Sequence, residues 1–295
     1  MAGKKYSEII TSPHAGDLIT GRMPSPSMTP LSLLPQSSWW KLFIDRRYHT
    51  EAGPALLFHR QASKGFYSVM MRVFKAELGL KDALHKMLDW GEYEALYEAV
   101  SRDVRGIAHR GRSGINSPVG TTNFPPIYTP SGAALAELLT ENVGYWNIPG
   151  NIKNMRPTDK VQLIFMGFPP TWRFSVAYTM EEAPGLANAF FTRYYQEIGA
   201  AAGGALAQLT AIVRLVRALH VYHFFRDANG RLNTMVVLNK LLLENGFPPA
   251  IVSDPAIFGG GRTIAELIDD VHNGMKIVLR EMEAHARFSG LDLAT

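Results

Sequence analysis

Cysteine is absent from the 295 residues, which excludes disulfides and thiolate metal sites. Long hydrophobic runs are missing too: no apolar stretch approaches the length of a membrane span, and the start Met1-Ala2-Gly3-Lys4-Lys5-Tyr6-Ser7-Glu8 lacks the apolar core of a secretory signal. Charge of one sign is scarce. The chain carries 30 basic and 26 acidic side chains for a net +4 and a pI near 9.2, a scattered balance that argues against nucleic acid as a partner. No internal repeat is visible. What is present is 46% hydrophobic residues, enough in a chain of this length to bury a sizeable core.

Residues 1–38 are rich in Ser, Thr, Pro and Gly with little periodicity, which predicts an irregular or disordered leader. The apolar part begins at Trp39-Trp40-Lys41-Leu42-Phe43. Helices are expected around Gly65 to Ala76 and Lys81 to Val104, the second offering Leu84, Met87, Leu88, Leu96 and Val100 for one face. From His109 to Pro130 the sequence reads as a loop. Two β-prone runs, Val161 to Met166 and Trp172 to Tyr178, flank Gly167-Phe168-Pro169-Pro170-Thr171 and read as a hairpin. A helix is expected from Met180 to Tyr195.

The most informative stretch is His223-Phe224-Phe225-Arg226-Asp227-Ala228-Asn229-Gly230-Arg231. The run before it places Leu206, Leu209, Val213 and Val216 on one helical face. After it, Leu232 to Leu243 is an apolar helical pattern stopped by Asn245-Gly246 and Pro248-Pro249. A loop that gathers a base, an acid, an amide and a guanidinium where a buried helix begins is an anion site by chemistry, since free N–H groups and the positive dipole end lie there.

These nine residues resemble the signature of the Fic (filamentation induced by cAMP) family, His-x-Phe-x-Asp/Glu-Ala/Gly-Asn-Gly/Lys-Arg, and match every defined position. The resemblance implies an all-α fold, a Fic-type helical bundle with a small β-hairpin flap, and transfer of AMP from ATP, or of a related nucleotide-derived phosphoryl group, to a hydroxyl of a target protein. Its core would cover 130–288, with a helical extension over 39–129 packed on it and a tail at 289–295. His223 would be the base, since an imidazole titrates near the working pH. Asp227 would hold Mg²⁺, which binds through one or two carboxylates and substrate phosphates. Asn229 and Gly230, with Ala228 beside them, would hold the α-phosphate, and Arg231 would meet the departing phosphates with its planar fork. Phe225 is expected to pack beneath the loop, and His220 to be a packing residue outside the motif. The hairpin, about 161–178, would be the flap on which the protein substrate docks.

Three departures from the family pattern bear on the donor. Phe224 stands where Pro is usual, Ala228 where many members have Gly, and Thr234 where many AMP-transferases carry a second arginine that meets the γ-phosphate. The version with Asp-Ala-Asn-Gly-Arg resembles that of secreted bacterial effectors, some of which transfer UMP or phosphocholine, so such a transferase is the alternative. A catalytically idle Fic-like binding module is a third reading. The inhibitory Ser/Thr-x-x-x-Glu-Gly/Asn pattern of the family is absent: Glu137 and Lys240, not hydroxyls, precede Glu141-Asn142 and Glu244-Asn245 by four residues. The enzyme would then be unrestrained or held by a separate inhibitor protein. The expected location is the cytoplasm, or a host cell into which the protein is secreted as an effector.

Overall fold

A computed structural model describes residues 31, 34–44, 46, 49, 65–104, 119–124, 132–141, 161–166, 171–179, 181–201, 204–252, 254–259 and 261–288. The expected irregular leader, 1–38, lies outside these up to residue 30, but its end is folded: Leu31 and Leu34 are buried and a 3-10 helix runs over Gln36–Leu42. The tail 289–295 and the residues 167–170 between the two expected strands also lie outside. The described residues are mostly helical.

Helix α1 (Phe66–Val73) runs on as a π-helix over Phe74–Leu78, and α2 (Lys81–Leu84) and α3 (Trp90–Ser101) follow. The single helix expected from Lys81 to Val104 is therefore two. Asp89 Oδ1 accepts the Glu92 N–H at 2.8 Å, an N-cap that starts a new helix. Helical periodicity does not carry across the break, so Met87 is 63% exposed whereas Leu84, Leu88, Leu96 and Val100 are buried.

Strands β1 (Val119–Phe124), β2 (Val161–Met166) and β3 (Thr171–Ala177) pair antiparallel in the order β1-β3-β2. Phe124 lies opposite Trp172, and Met166 opposite Thr171. Strand β1 falls inside the segment that reads as a loop. Its sequence Val-Gly-Thr-Thr-Asn-Phe carries little apolar alternation, and the pairing with β3 supplies what propensity does not.

Helix α4 (Gly132–Thr140) precedes β2, and α5 (Ala183–Ala200), α6 (Ala205–Tyr222), α7 (Leu238–Glu244) and α8 (Ile264–Phe288) complete the order, with a second π-helix over Arg231–Val237. A reciprocal cap starts α5: the Thr179 N–H donates to Glu182 Oε2 at 2.8 Å, and the Glu182 N–H to Thr179 Oγ1 at 3.2 Å. Helix α6 is the centre of the fold. From Leu209 to Tyr222 almost every side chain is buried, as in a helix surrounded by others. The expected single face was too narrow, and its first member, Leu206, is 39% exposed. Among the described residues α6 is the one helix long and apolar enough to cross a membrane, and 67% of it is buried inside the protein, which is the pattern of a core helix.

Polar contacts fix the neighbours of α6. Arg217, 1% exposed, pairs with Glu137 at 2.7 Å and with Glu141, and Arg214 donates to Glu141 at 2.8 Å. These bonds lock α4 onto α6, because removing either partner would strand a buried charge. The amino-terminal helices join the same body. Lys240 Nζ donates to the carbonyls of Ala83, at 3.0 Å, and Leu84, and the Tyr93 hydroxyl donates to Asn233 Oδ1 at 2.8 Å. Residues on both sides of position 130 share one hydrophobic cluster.

Candidate active site

Helix α6 ends at His223, whose backbone is left-handed, φ 51° and ψ 51°. That turn leads the chain out of the helix and into the loop. The His223 ring folds back, with Nδ1 2.9 Å from the His220 carbonyl. A carbonyl only accepts, so Nδ1 carries the proton and the lone pair of the neutral ring sits on Nε2. Burial pushes the His223 pKa below the usual 6.5, outweighing the His220 carbonyl and the charge of Asp227, which push it up. The ring is thus a neutral base at pH 7. Burial takes His220 itself down to about 3, with His223 the lesser cause. That imidazole is 6% exposed and stays neutral, in keeping with a packing role.

Phe224 and Phe225 carry the loop across the core. The Phe225 ring is 1% exposed, stacked on Tyr97 at 3.8 Å and 2°, with Trp90 on it at 5.7 Å and 23°. The two partners come from α3, so the amino-terminal helices form the floor beneath the motif. Phe225 packs there as the sequence predicts.

Asn229, 1% exposed, accepts the Phe225 N–H at 3.1 Å and donates to the Phe225 carbonyl at 2.6 Å. The side chain expected on a phosphate is committed to the loop itself, because these backbone groups have lost water and need a partner. Ala228 is likewise redirected. Its N–H donates to Asp227 Oδ1 at 2.6 Å and its φ is 62°, so it shapes the turn instead of offering its N–H to a donor. The left-handed φ explains why glycine suits this position.

Helix starts again after Ala228: the first ladder bond runs from the Leu232 N–H to the Ala228 carbonyl at 2.9 Å. The N–H groups of Asn229, Gly230 and Arg231 come before that ladder, where a helix presents donors to an anion. The Arg231 guanidinium lies 4.4 Å over the ring of Phe66, the first residue of α1, in a cation–π contact. His223, Asp227, Gly230 and Arg231 are therefore brought to one loop with the side chains of two other helices against it. Thr234 is not among them. It is 1% exposed, and its Oγ1 donates to the Gly230 carbonyl at 2.5 Å, so the position expected to face a terminal phosphate faces its own helix.

Asp227 is exposed, and its carboxylate is the right donor type for a hard divalent cation. Among the described residues no group of three or more His, Cys or acidic side chains could hold a metal ion unaided. A cation at Asp227 would complete its shell with phosphate oxygens and water, the usual arrangement for Mg²⁺. The residues present fit that group.

Local pattern had no means of finding Phe66, Trp90, Tyr97 or Tyr178. Each is an aromatic residue distant in sequence, and each touches the loop through the tertiary fold.

No family model matches the chain. Over 51 residues it is 45% identical to the phosphocholine transferase AnkX of Legionella pneumophila, a stretch that makes up 17% of this chain and 5% of that protein. The similarity is therefore local, and it is to a transferase.

Proposed function

We propose that this chain is a Fic-type transferase that moves AMP, or a related nucleotide-derived phosphoryl group, from a nucleotide to a hydroxyl side chain of a target protein. The observation that carries the reading is the 2.9 Å contact of His223 Nδ1 with the His220 carbonyl, which leaves Nε2 as the basic nitrogen, at the mouth of a loop that ends in a helix start bearing Arg231. In the reaction, Nε2 of His223 takes the proton of the acceptor hydroxyl as its oxygen bonds to phosphorus, and the bond from phosphorus to the leaving phosphate breaks. The Gly230 N–H and the Arg231 guanidinium receive the charge on the phosphoryl and leaving oxygens. Mg²⁺ held by Asp227 would neutralise part of the phosphate charge. The strand pair β2–β3 would serve as the flap, holding the target's backbone so that its hydroxyl reaches His223.

A second reading, transfer of phosphocholine, is favoured by the similarity to AnkX and by Thr234, which leaves no cation at that position for a γ-phosphate. The experiment that separates them is incubation of the pure protein with lysate proteins and, in turn, ATP, UTP and CDP-choline, followed by mass spectrometry of the products. The mass added names the group. An adduct that survives His223→Ala, or no adduct with any donor, would refute the proposal.

A further inference from the structure

Tyr178 is the residue immediately after β3, and Thr179 after it belongs to the cap of α5. Its side chain is 3% exposed. The ring stacks on Tyr222 at 6.2 Å and 22° and leans on Phe224 at 5.4 Å. The hydroxyl donates to the Tyr222 carbonyl at 2.9 Å and lies 3.4 Å from the His223 carbonyl. Burial pushes its pKa far above the ordinary tyrosine value, so the hydroxyl remains a donor over the whole working range.

Those two carbonyls belong to the last residue of α6 and to the residue that caps it. They have no partner within their own helix, and they sit in a buried setting where an unpaired acceptor is costly. The second belongs to a histidine held at φ 51°, a left-handed conformation that a residue with a Cβ adopts only when its surroundings insist on it. Besides the bond of the His223 N–H to the Leu219 carbonyl at 3.2 Å, two bonds determine where the His223 ring stands. One runs from its own Nδ1 to His220 and fixes the ring relative to α6. The other comes from outside the helix, from Tyr178, and fixes the backbone turn that aims the ring.

We infer that Tyr178 is a positioning residue for His223, tying the end of the strand pair to the carbonyls that hold the base in its left-handed turn. This rests on the transferase reading given above. Without the hydroxyl, the Tyr222 and His223 carbonyls lose their shared donor and the turn relaxes, which displaces Nε2 from the acceptor hydroxyl. Misplacement of a reacting group by about 1 Å is enough to slow a reaction by up to about a hundredfold.

The test is Tyr178→Phe, which keeps the ring and its stacking, beside Thr179→Ala, which weakens the α5 cap without touching the Tyr178 hydroxyl. Expected for Tyr178→Phe is a kcat lowered by about tenfold or more with the KM for the donor within about twofold, whereas Thr179→Ala lowers Tm and leaves kcat unchanged. A wild-type kcat in Tyr178→Phe overturns the inference while the transferase reading stands. Should the wild-type protein transfer nothing from any donor, that reading fails by itself, and the crystal structure of Tyr178→Phe still decides the inference. His223 displaced from its left-handed turn, or split between conformers, upholds it; His223 unmoved overturns it.

Discussion

Asn229→Asp is the sharpest probe of the loop, because it keeps the shape of the side chain while exchanging one amide NH₂ for an oxygen that carries charge when ionised. In the structure the Asn229 amide meets the Phe225 backbone twice, accepting at 3.1 Å and donating at 2.6 Å. The carboxylate can still accept the Phe225 N–H. It cannot donate, so two oxygens face each other where a donor and acceptor stood. Asn229→Ala leaves both Phe225 groups without their partner, at about 1–3 kcal/mol for each buried group left unsatisfied, or roughly 2–4 kcal/mol with water partly admitted. At pH 7 Asn229→Asp should cost at least as much, since one acceptor is stranded and an oxygen anion is pressed against it. Burial and the facing carbonyl raise the folded pKa of the introduced carboxyl above its unfolded value of about 3.9. The folded variant then binds more protons than the unfolded one between those values, so its stability rises as pH falls through the folded pKa. Urea denaturation at pH 7 and pH 5 measures this, with Trp90 on the Phe225 ring as a fluorescent reporter. Asn229→Asp with wild-type stability at pH 7 and a selective loss of donor binding would show that the amide holds a phosphate and not the loop.

Phe66→Leu removes the ring under the Arg231 guanidinium, a contact of about 0.5–2 kcal/mol; calorimetric titration should show nucleotide donor affinity falling several-fold, and unchanged affinity would mean Arg231 does not meet the donor. Because the His223 pKa is lowered from 6.5, kcat should be flat above pH 6.5 and fall as pH drops through a midpoint below that value. Asp227→Asn removes a charge that raises this pKa, so the His223 ring titration followed by NMR should move further down; an upward move would refute the assignment of causes. Thr234→Arg should lower stability by about 3 kcal/mol or more, since it puts a guanidinium where the side chain is buried, and urea denaturation of the purified variant checks it; a stable variant that binds ATP more tightly than ADP would show that position 234 does face the terminal phosphate.

Much of the helical framework was legible because long apolar periods are robust to local exceptions. The runs Leu206 to Leu219 and Leu232 to Leu243 became α6 and the π- and α-helical segment after the motif. The break at residues 85–89 was not legible, because a single Asp89 cap outweighs a pattern that continues on both sides of it. Strand β1 was hidden for the opposite reason: its six residues hold few apolar side chains, and its place in the sheet comes from a partner more than 40 positions away, Trp172 opposite Phe124.

Within the candidate site, the loop between two buried helices was legible and the direction of its side chains was not. The resemblance of the motif proposes His223, Asp227 and Arg231 for the site, and the structure brings them to one loop. Which amide faces inward depends on φ at Ala228, and which side chain follows Arg231 onto the site depends on how the next turn is wound. The sequence reads as α-helix from Gly230 onward, yet Arg231–Val237 is π-wound, with the Leu238 N–H bonded to the Asn233 carbonyl five residues back. A wider turn advances each residue through a smaller angle, so a position carried over by counting from a motif arginine does not keep its direction. Thr234 is buried against Gly230, and Asn233, its neighbour, is buried and accepts from Tyr93 of α3. The winding that shelters Thr234 thus also docks the motif onto the amino-terminal helices. An arginine at 234 would have to leave the buried setting that Thr234 occupies to reach a terminal phosphate, which is why Thr234→Arg is expected to cost stability before it gains any contact with a donor.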